Sequence, residues 1–352
     1  MQTATATGRL SMEEPSLQTI PKPAAFQRLA SLGTQAAPGA GGGGGGAPGQ
    51  VTEVCNIRAA FVVAPGRVMV SADYAQVEFR LMAHFSGDPA LLACFAAGRD
   101  PFIQLASNWL KMAPAEVTPE HRNQAKRLAY GVLYGMGPHT LAPLLGITGD
   151  AAEQLRRSFL DSMPVLRDWL EGVRKGLTAA NIDVQMLSGR KRYFFKLQDP
   201  NLRPGLRGHI ERAGVNSICQ GSAADVVKGV MIQLAQELPR ELGPGAAHMV
   251  LQIHDELVFE VEAPLLQPAA RAIRRIMEGA AREWGLRVAL PVNVKVGPSW
   301  GELRPYDIEA GAVIASQGAG GDDEDDDDVD PLMAVGGGGG DTLDMDVADE
   351  DS

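Results

Sequence analysis

Two acidic sites stand where short apolar runs of the chain end, and together they could hold divalent cations. Asp73 closes the run 67–73, whereas Asp255 and Glu256 follow the run 249–253. Sites that transfer phosphoryl groups with two metal ions hold the ions about 3.5–4 Å apart between carboxylates. If the two runs are neighbouring strands, Asp73 and Asp255 could bind such a pair. Taken singly, each of these carboxylates is better explained as a solvated side chain or a helix cap, and only their combination favours a metal site.

A second chemical pattern lies in the middle of the chain. Cationic and aromatic residues recur there every fourth position, at Arg122, Lys126, Tyr130 and Tyr134. Positions four apart on an α-helix differ by only about 40°, so these side chains form one stripe. Cations followed by an aromatic ring suit a triphosphate and a stacked base. A solvated basic face with Tyr130 buried is the open alternative.

Two glycines interrupt this helical pattern at Gly131 and Gly135. A glycine inside a helix costs roughly 1 kcal/mol relative to alanine. The pattern therefore indicates that another group approaches closely, that the helix bends, or that it ends there.

The elements that must position these residues follow from hydrophobic periodicity and breakers. The pattern predicts strands at 67–73, 249–253, 257–261 and 288–296, helices at 76–85, 119–133, 154–178, 211–238 and 268–284, and a hairpin or loop at 185–195. Strands from both ends of the sequence thus enclose a helical middle. This order predicts an α+β fold, with a small antiparallel sheet and a helical insertion.

Composition separates the folded part from two low-complexity segments. Residues 33–50 are almost all Gly, Ala and Pro, which predicts a flexible loop, and residues 309–352 are predicted to be a disordered acidic tail. The net charge is −11, but 14 of the 43 acidic residues follow residue 321, where Lys and Arg are absent. Residues 1–321 therefore carry 29 acidic and 32 basic residues, a net charge of +3 that is compatible with a phosphate backbone. The tail itself is either solvated or a docking site for a basic protein partner.

The same sequence argues against a membrane or secreted protein. No apolar run approaches the roughly 18 residues of a membrane span, and the N-terminus lacks a basic-then-apolar signal. The three cysteines are scattered without metal-ligand spacing, which is typical of reduced thiols inside the cell.

Three segments resemble motifs of the A-family DNA polymerases. DYAQVEFR (73–80) is similar to the first palm motif, RNQAKRLAYGVLYG (122–135) to the fingers helix, and LQIHDELVFEV (251–261) to the palm hairpin. Further similarity lies in TATGRLSMEEPSLQTIP (5–21), LSGRKRY (187–193) and ERAGVNSICQGSAADVVK (211–228). The resemblance implies a polymerase palm with a helical fingers insertion. It divides the chain into the start of the palm (1–32), the loop (33–50), a core (51–308, fingers about 100–205) and the tail (309–352).

The resemblance also implies a role for each matching residue. Asp73 and Asp255 would bind two Mg²⁺ ions with the Tyr74 carbonyl, and Glu256 would support them. The nucleotide-binding set is Arg122, Lys126, Tyr130, Tyr134, Glu78 and Gln76. Within it, Lys126 would also protonate the leaving pyrophosphate, and Glu78 would exclude a ribose 2′-hydroxyl. The residues that would contact the primer–template are Arg9, Gln18, Asn216, Gln220 and His254. The implied partners are primer–template DNA and a deoxynucleoside triphosphate.

The chain departs from the family pattern at a few positions. Ser16 replaces the usual Asn, which puts one minor-groove contact in doubt, and Ala75 and Phe79 replace Ser and Leu in the first motif. In the family a thumb and an exonuclease-type domain precede the palm, and neither fits into the few residues before TATGRLS. We therefore expect a fragment, a truncated gene model or one piece of a helicase–polymerase, with weak activity by itself.

Finer features resemble the polymerase theta subfamily. An insertion separates LQTIP from IRAAF, Phe102 stands where many relatives have His, and the core ends in VGPSWGELRPYDI. This resemblance implies a role in DNA repair or double-strand-break end joining and a nuclear location, with an organelle as the alternative. Two other functions stay open: a noncatalytic DNA-binding remnant, and an adaptor that acts through its acidic tail.

Overall fold

A computed structural model describes residues 5–12, 16–21, 23–29 and 50–314. These residues divide into two compact units. The first, called the sheet unit, comprises the described residues up to Glu78 together with 186–190 and 220–314. The second, called the helical unit, comprises 79–185 and 191–219. Residues 33–49 of the predicted loop and 315–352 of the predicted tail lie outside the described residues.

Ten strands and nine α-helices make up the described chain, and short 3-10 helices connect several of them. The strands are β1 (Ala24–Leu29), β2 (Gln50–Cys55), β3 (Arg67–Tyr74), β4 (Asp183–Gln185), β5 (Lys191–Tyr193), β6 (Ala247–Ile253), β7 (Glu256–Glu262), β8 (Val292–Gly297), β9 (Arg304–Asp307) and β10 (Ala312–Val313). The helices are α1 (Val77–Ser86), α2 (Pro89–Ala96), α3 (Pro101–Leu110), α4 (Pro119–Leu133), α5 (Pro138–Leu145), α6 (Gly149–Asp161), α7 (Pro164–Gly176), α8 (Pro204–Leu242) and α9 (Leu266–Glu283). In the part of the chain so described, none of the helices has the length and apolar character needed to cross a bilayer.

A six-stranded antiparallel sheet dominates the sheet unit, in the order β10-β9-β8-β3-β7-β6. Its central strand β3 is rich in small and β-branched residues, which suit a strand paired on both sides. Side chains alternate between the two faces of the sheet. On one face the buried ring of Tyr74 reaches α9, where its hydroxyl donates to the Met277 carbonyl oxygen (2.8 Å). Burial raises the pKa of this phenol, so the hydroxyl stays protonated.

The opposite face of the sheet carries a second core. Met69 of β3 and Val258 of β7 pack there with Trp300, and the N-terminal segment adds Met12 and Leu17. This face also carries Asp73, four residues after Met69 on β3, and Glu256, two residues before Val258 on β7, because residues an even number apart on a strand share a face. The carboxylates therefore lie on the face that the N-terminal segment helps to cover.

In the helical unit, several helices begin with a capping residue followed by proline. The Asp88 and Asp100 carboxylates and the Thr118 hydroxyl accept backbone N–H groups at the starts of α2, α3 and α4. Such caps satisfy N–H groups that the helix leaves without partners, and proline suits the first helical position. Asp88 also accepts the N–H of Leu166 in α7 (3.1 Å), which ties the starts of two helices together.

The order of elements confirms the predicted mixture of helices with a small antiparallel sheet. Three predicted elements were wrong in extent. The helix predicted at 211–238 is the longer α8, which runs from Pro204 to Leu242. The helix predicted at 154–178 is two helices, because Pro164 starts α7 after the break that follows Asp161. The strand predicted at 288–296 begins only at Val292, after Pro291, whose carbonyl accepts the N–H of Ala75 (3.0 Å).

Two segment boundaries also differ from the prediction. Gln50, the last residue of the predicted loop, begins β2 and pairs with Leu29. The tail predicted from residue 309 contains β10 near its start, since Ala312 and Val313 pair with β9. The alternatives for 185–195 resolve into a hairpin formed by β4 and β5.

Candidate active site

The two predicted metal-binding carboxylates lie at one end of the large sheet. Asp73, near the end of β3, pairs directly with Glu256, the first residue of β7. Asp255 precedes Glu256 in the turn from β6, where His254 adopts a left-handed conformation (φ 53°). The runs 67–73 and 249–253 were expected to be neighbouring strands, but β7 lies between β3 and β6. Asp73 and Asp255 nevertheless lie at the same end of the sheet, because Asp73 pairs with Glu256.

A further carboxylate is fixed beside them. The Ser71 hydroxyl donates to Glu256 Oε1 (2.5 Å), and Ser71 lies two residues before Asp73 on the same face of β3. Asp73, Asp255 and Glu256 are all half-buried. Glu256 is thus held toward β3, next to the Asp73 position.

The chemistry of these donors suits a divalent cation. Mg²⁺ is commonly bound through one or two carboxylates and completed by substrate phosphates and water. Among the described residues, no group of three or more His, Cys, Asp or Glu side chains forms a ready metal site. Asp73 and Asp255 therefore fit a cation whose coordination a phosphate substrate completes. The predicted ligand Tyr74 follows Asp73 as the last residue of β3.

A pocket in the sheet unit joins Asp255 to residues far away in the sequence. Its lining includes Arg9, Glu78, Lys228, His254 and Asp255. Arg9 forms an ion pair with Glu78, whose side chain is only 12% exposed. Sequence reasoning assigned these two residues separately and missed their pairing. It also missed Lys228, although this residue ends one of the motif-like segments.

Arg190 positions the segment that carries Arg9. Its Nη2 donates to the carbonyl oxygens of Thr7 (2.8 Å) and Gly221 (3.2 Å) and to Asp225 Oδ1 (2.9 Å). A Cβ at Gly8, where φ is +80°, would lie 2.8 Å from the Arg190 guanidinium. The bare backbone of Thr7 and Gly8 therefore packs directly on Arg190, next to Arg9. Sequence reasoning missed Arg190 as well, although it lies in the LSGRKRY segment.

Three glutamines predicted at the site lie in the sheet unit. Gln18 Nε2 donates to the carbonyl oxygens of Leu10 (3.2 Å) and Gln252 (3.1 Å), which ties the N-terminal segment to β6. Gln76 is buried between β3 and α1 in a left-handed conformation (φ 56°). Gln220 is buried in α8 with 5% exposure.

The predicted stripe of cations and tyrosines lies on α4 in the helical unit. Arg122 Nε donates to Asp100 Oδ2 (2.7 Å), and the other oxygen of Asp100 caps α3. Lys126 is buried, with 6% exposure. The alternative of a solvated basic face is therefore wrong for Lys126, and Arg122 is engaged by the Asp100 carboxylate.

Tyr130 belongs to an aromatic cluster. Its ring centroid lies 5.9 Å from that of Tyr134, 5.8 Å from Phe102 and 6.3 Å from Phe79. Tyr130 remains half-buried, whereas Phe79 and Phe102 have at most 2% exposure. The replacement of Leu by Phe at position 79 thus places an additional ring under Tyr130.

The two glycines of this segment have different roles. A Cβ at Gly131 would lie 2.6 Å from Leu141 Cδ2, so this glycine permits the close approach of α5. Gly135 follows the end of α4 with φ +76°, a conformation that favours glycine. Two of the three alternatives from the sequence are therefore confirmed: Gly131 permits the close approach of another helix, and Gly135 marks the end of α4.

The remaining predicted residue, Asn216, is buried in α8. Its Oδ1 has no hydrogen-bond partner among the described residues. A buried acceptor without a partner costs about 1–3 kcal/mol, so a donor that reaches it would contribute affinity.

The predicted residues thus form two groups. The sheet unit holds Asp73, Tyr74, Gln76, Glu78, Arg9, Gln18, Gln220, His254, Asp255 and Glu256, and the helical unit holds Arg122, Lys126, Tyr130, Tyr134 and Asn216.

Comparison with known proteins identifies relatives over most of the chain. The sequence is 38% identical over 305 residues to the thermostable DNA polymerase I of Thermus thermophilus, covering 85% of this chain and 32% of that protein. It is 31% identical over 312 residues to DNA polymerase theta of Drosophila melanogaster, covering 87% and 14%. The chain therefore spans a third or less of the length of these relatives.

A solved structure shows the same fold. The polymerase domain of Pol1 from M. smegmatis, in complex with DNA primer–template and dNTP, matches with a TM-score of 0.69 and 33% identity. The match covers 85% of this chain and 47% of that one. The profile of DNA polymerase family A also matches residues 1–302. On this sequence, fold and site geometry, the chain belongs to DNA polymerase family A.

Proposed function

We propose that the protein to which this chain belongs is a template-directed DNA polymerase, which joins a deoxynucleotide to a primer 3′-hydroxyl and releases pyrophosphate. The observation that carries the proposal is the placement of Asp73 and Asp255 at one end of the sheet, with Asp255 in the pocket that the paired Arg9 and Glu78 also line. In this proposal the sheet unit is the palm. The fingers, predicted at about 100–205, would be formed by the helical unit except for residues 186–190, which belong to the sheet unit.

The sheet unit would supply the reaction centre. Two Mg²⁺ ions at Asp73 and Asp255 would lower the pKa of the primer hydroxyl and stabilise charge on the transferred phosphoryl group. Glu256 would hold the end of the sheet through its bond with Ser71. Glu78, kept in place by Arg9, would occupy the space beside the sugar 2′ position.

The helical unit would bind the nucleotide. Arg122 would exchange Asp100 for a phosphate of the substrate, and Lys126 would donate a proton to pyrophosphate as it leaves. Tyr130 and Tyr134 would offer stacked rings to the incoming and templating bases. Burial in a site that excludes water would strengthen each of these charge interactions.

In this proposal primer–template DNA contacts the residues predicted from the resemblance, namely Arg9, Gln18, Asn216, Gln220 and His254. Gln18 is tied to β6, and the unsatisfied oxygen of Asn216 could accept from a donor on a base or sugar. The similar M. smegmatis polymerase domain was solved in complex with DNA primer–template and dNTP, which supports this assignment.

The test is single-nucleotide extension of a labelled primer on four templates that differ only in the templating base. We expect Mg²⁺-dependent addition of the complementary nucleotide on each template and no addition when the metal is chelated. DNA binding without addition would favour the alternative of a noncatalytic DNA-binding remnant.

A second candidate is the narrower role of end joining in DNA repair, which polymerase theta suggests. The similarity to DNA polymerase theta of Drosophila melanogaster, 31% identity over 312 residues, is the observation that supports it. A nuclear location belongs to this candidate. Extension of two single strands that share only a few complementary terminal bases would support end joining, and extension restricted to long primer–template duplexes would contradict it.

A basic protein partner for the acidic residues after position 321 is a separate proposal that rests on charge alone. Capture of such a partner by the full chain, lost on deletion of residues 315–352, would support this adaptor role.

A further inference from the structure

Two exposed aromatic rings lie side by side where the β4–β5 hairpin ends. Their centroids, on Tyr193 and Phe195, are 5.7 Å apart and their planes differ by 15°. Tyr193 is 51% exposed and Phe195 is 67% exposed. Within the described part of the chain, they are the only aromatic residues among the exposed large hydrophobic side chains. We call them the aromatic pair.

The aromatic pair is held by a packed hairpin. Phe194, which lies between the two residues in the sequence, is 4% exposed and belongs to the core of the helical unit. The Arg192 guanidinium lies 4.9 Å from the Phe194 ring and donates to Ser217 Oγ (2.7 Å). Tyr193 ends β5 and Phe195 begins a short 3-10 helix, and both side chains are exposed while Phe194 is buried. Their exposure is a fixed property of the hairpin, and such apolar surface often marks a binding site.

The charge around the aromatic pair favours a polyanion. Residues 191–207 contain five Lys or Arg and one acidic residue, Asp199. Lys191 and Lys196 flank the pair in sequence and are both exposed. Lys191 is neutralised by Asp183 (2.9 Å), so Lys196 is the better candidate for a contact with phosphate. Aromatic rings combined with cations are typical of sites that bind single-stranded nucleic acid.

We propose that the aromatic pair, with Lys196, is a stacking platform for unpaired bases of single-stranded DNA. Bases of any sequence would stack, because each base has an apolar face, and the cation would contact the phosphate backbone. The inference rests on the proposed function, since a template-directed polymerase encounters unpaired template. It adds a DNA contact outside the residues assigned above.

The test measures binding of the full chain to a labelled dT16 oligonucleotide and to a blunt duplex by fluorescence anisotropy. We expect Tyr193→Ala and Phe195→Ala each to weaken oligonucleotide binding about 5- to 100-fold and to leave duplex binding unchanged. Phe195→Trp should retain binding because it keeps a stacking ring. Ile232→Ala, which removes a 61% exposed aliphatic side chain in the sheet unit, is the matched control and should have no effect.

Photocrosslinking of the unchanged protein provides an independent measurement. A bromouracil-substituted oligonucleotide should crosslink to the peptide that contains Tyr193 and Phe195, and crosslinks confined to other peptides would overturn the inference. Equal affinity of the alanine variants and the wild type would also overturn it. A third result would overturn it as well: alanine variants that lose self-association on ultracentrifugation but bind the oligonucleotide as the wild type does. The aromatic pair would then be a contact between copies of the chain.

The two proposals can fail separately. If the wild type extends primers while the alanine variants bind dT16 normally, only the stacking platform fails. If the wild type extends no primer, the proposed function fails, and the anisotropy and crosslinking results still decide whether the aromatic pair binds single strands.

Discussion

At the scale of single residues, two arginines of the candidate site are already paired with carboxylates. Arg9 contacts Glu78, and Arg122 contacts Asp100 (2.7 Å). The side chains of these residues are at most 31% exposed, so the pairs orient their members more firmly than fully solvated pairs would. The first pair holds Glu78 and the second holds Arg122, and the proposed reaction needs both side chains. In that reaction a phosphate of the substrate would replace Asp100 as the partner of Arg122.

The pairing of Glu78 gives a test of sugar selection. Glu78→Ala should raise incorporation of ribonucleotides relative to deoxynucleotides about 10- to 200-fold, because it opens space beside the 2′ position. Glu78→Gln is the matched control, since it keeps the size of the side chain and removes the charge paired with Arg9. The measurement is the ratio of incorporation efficiencies. An unchanged ratio for Glu78→Ala would leave Glu78 as a structural partner of Arg9.

Tyr130 gives a test of contact with the sugar 3′ position. A tyrosine hydroxyl can occupy the hydrogen-bonding space that a dideoxynucleotide leaves empty, so we expect ready acceptance of dideoxynucleotides. Tyr130→Phe should restore discrimination by roughly 5- to 150-fold, which corresponds to about 1–3 kcal/mol for an unsatisfied polar group. Competition between deoxy- and dideoxynucleotides measures the ratio. Equal ratios for the two proteins would show that Tyr130 does not reach the sugar.

Single residues were predictable where their chemistry is local. The strand ends at Asp73 and Asp255, and the stripe on α4, follow from apolar runs and helical spacing. The ion pair between Arg9 and Glu78 spans 69 positions, and the contact of Arg190 with Thr7 spans 183. No local pattern encodes such pairings, because they depend on how distant segments fold together.

At the scale of elements, proline and glycine decide where the helices end and how closely they pack. Pro164 and Pro291 shortened two elements that hydrophobic periodicity had extended. The sheet order β8-β3-β7 could not be read from the sequence, because pairing is set by contacts across the whole unit. The positions of the strands around the site and the hairpin that joins β6 to β7 could be predicted, because both are encoded within short runs of the sequence.

The packing of α4 against α5 gives a test at this scale. Gly131→Ala should lower the free energy of unfolding by about 1–3 kcal/mol, because its Cβ would overlap the buried Leu141 side chain. Gly172→Ala is the matched control in α7, where a Cβ meets no heavy atom within 4 Å. It should stabilise the protein by up to about 1 kcal/mol through helix propensity. Denaturant unfolding of both variants measures the difference, and stabilisation by both would contradict the close approach of α5.

At the scale of the whole molecule, charge is divided along the chain. Residues 1–321 carry a net charge of +3, whereas the 14 acidic residues beyond them account for the net charge of −11. Strand β10 ends at Val313 and pairs with β9, so a deletion that probes the acidic segment should keep residues through 314. A shorter core would remove an edge strand together with the acidic charge and would confuse the two effects.

The central claim is that Asp73 and Asp255 together hold the metal ions of nucleotide transfer. The most direct measurement is the single-turnover rate of nucleotide incorporation by Asp73→Asn and Asp255→Asn at saturating DNA and nucleotide. Each should lose at least about 100-fold in rate while keeping the melting temperature of the wild type, because an amide lacks the charge that the cations require. Glu262→Gln is the matched control: this 49% exposed carboxylate lies at the other end of β7, and its loss should leave the rate unchanged. A near-normal rate in either aspartate variant would contradict the account.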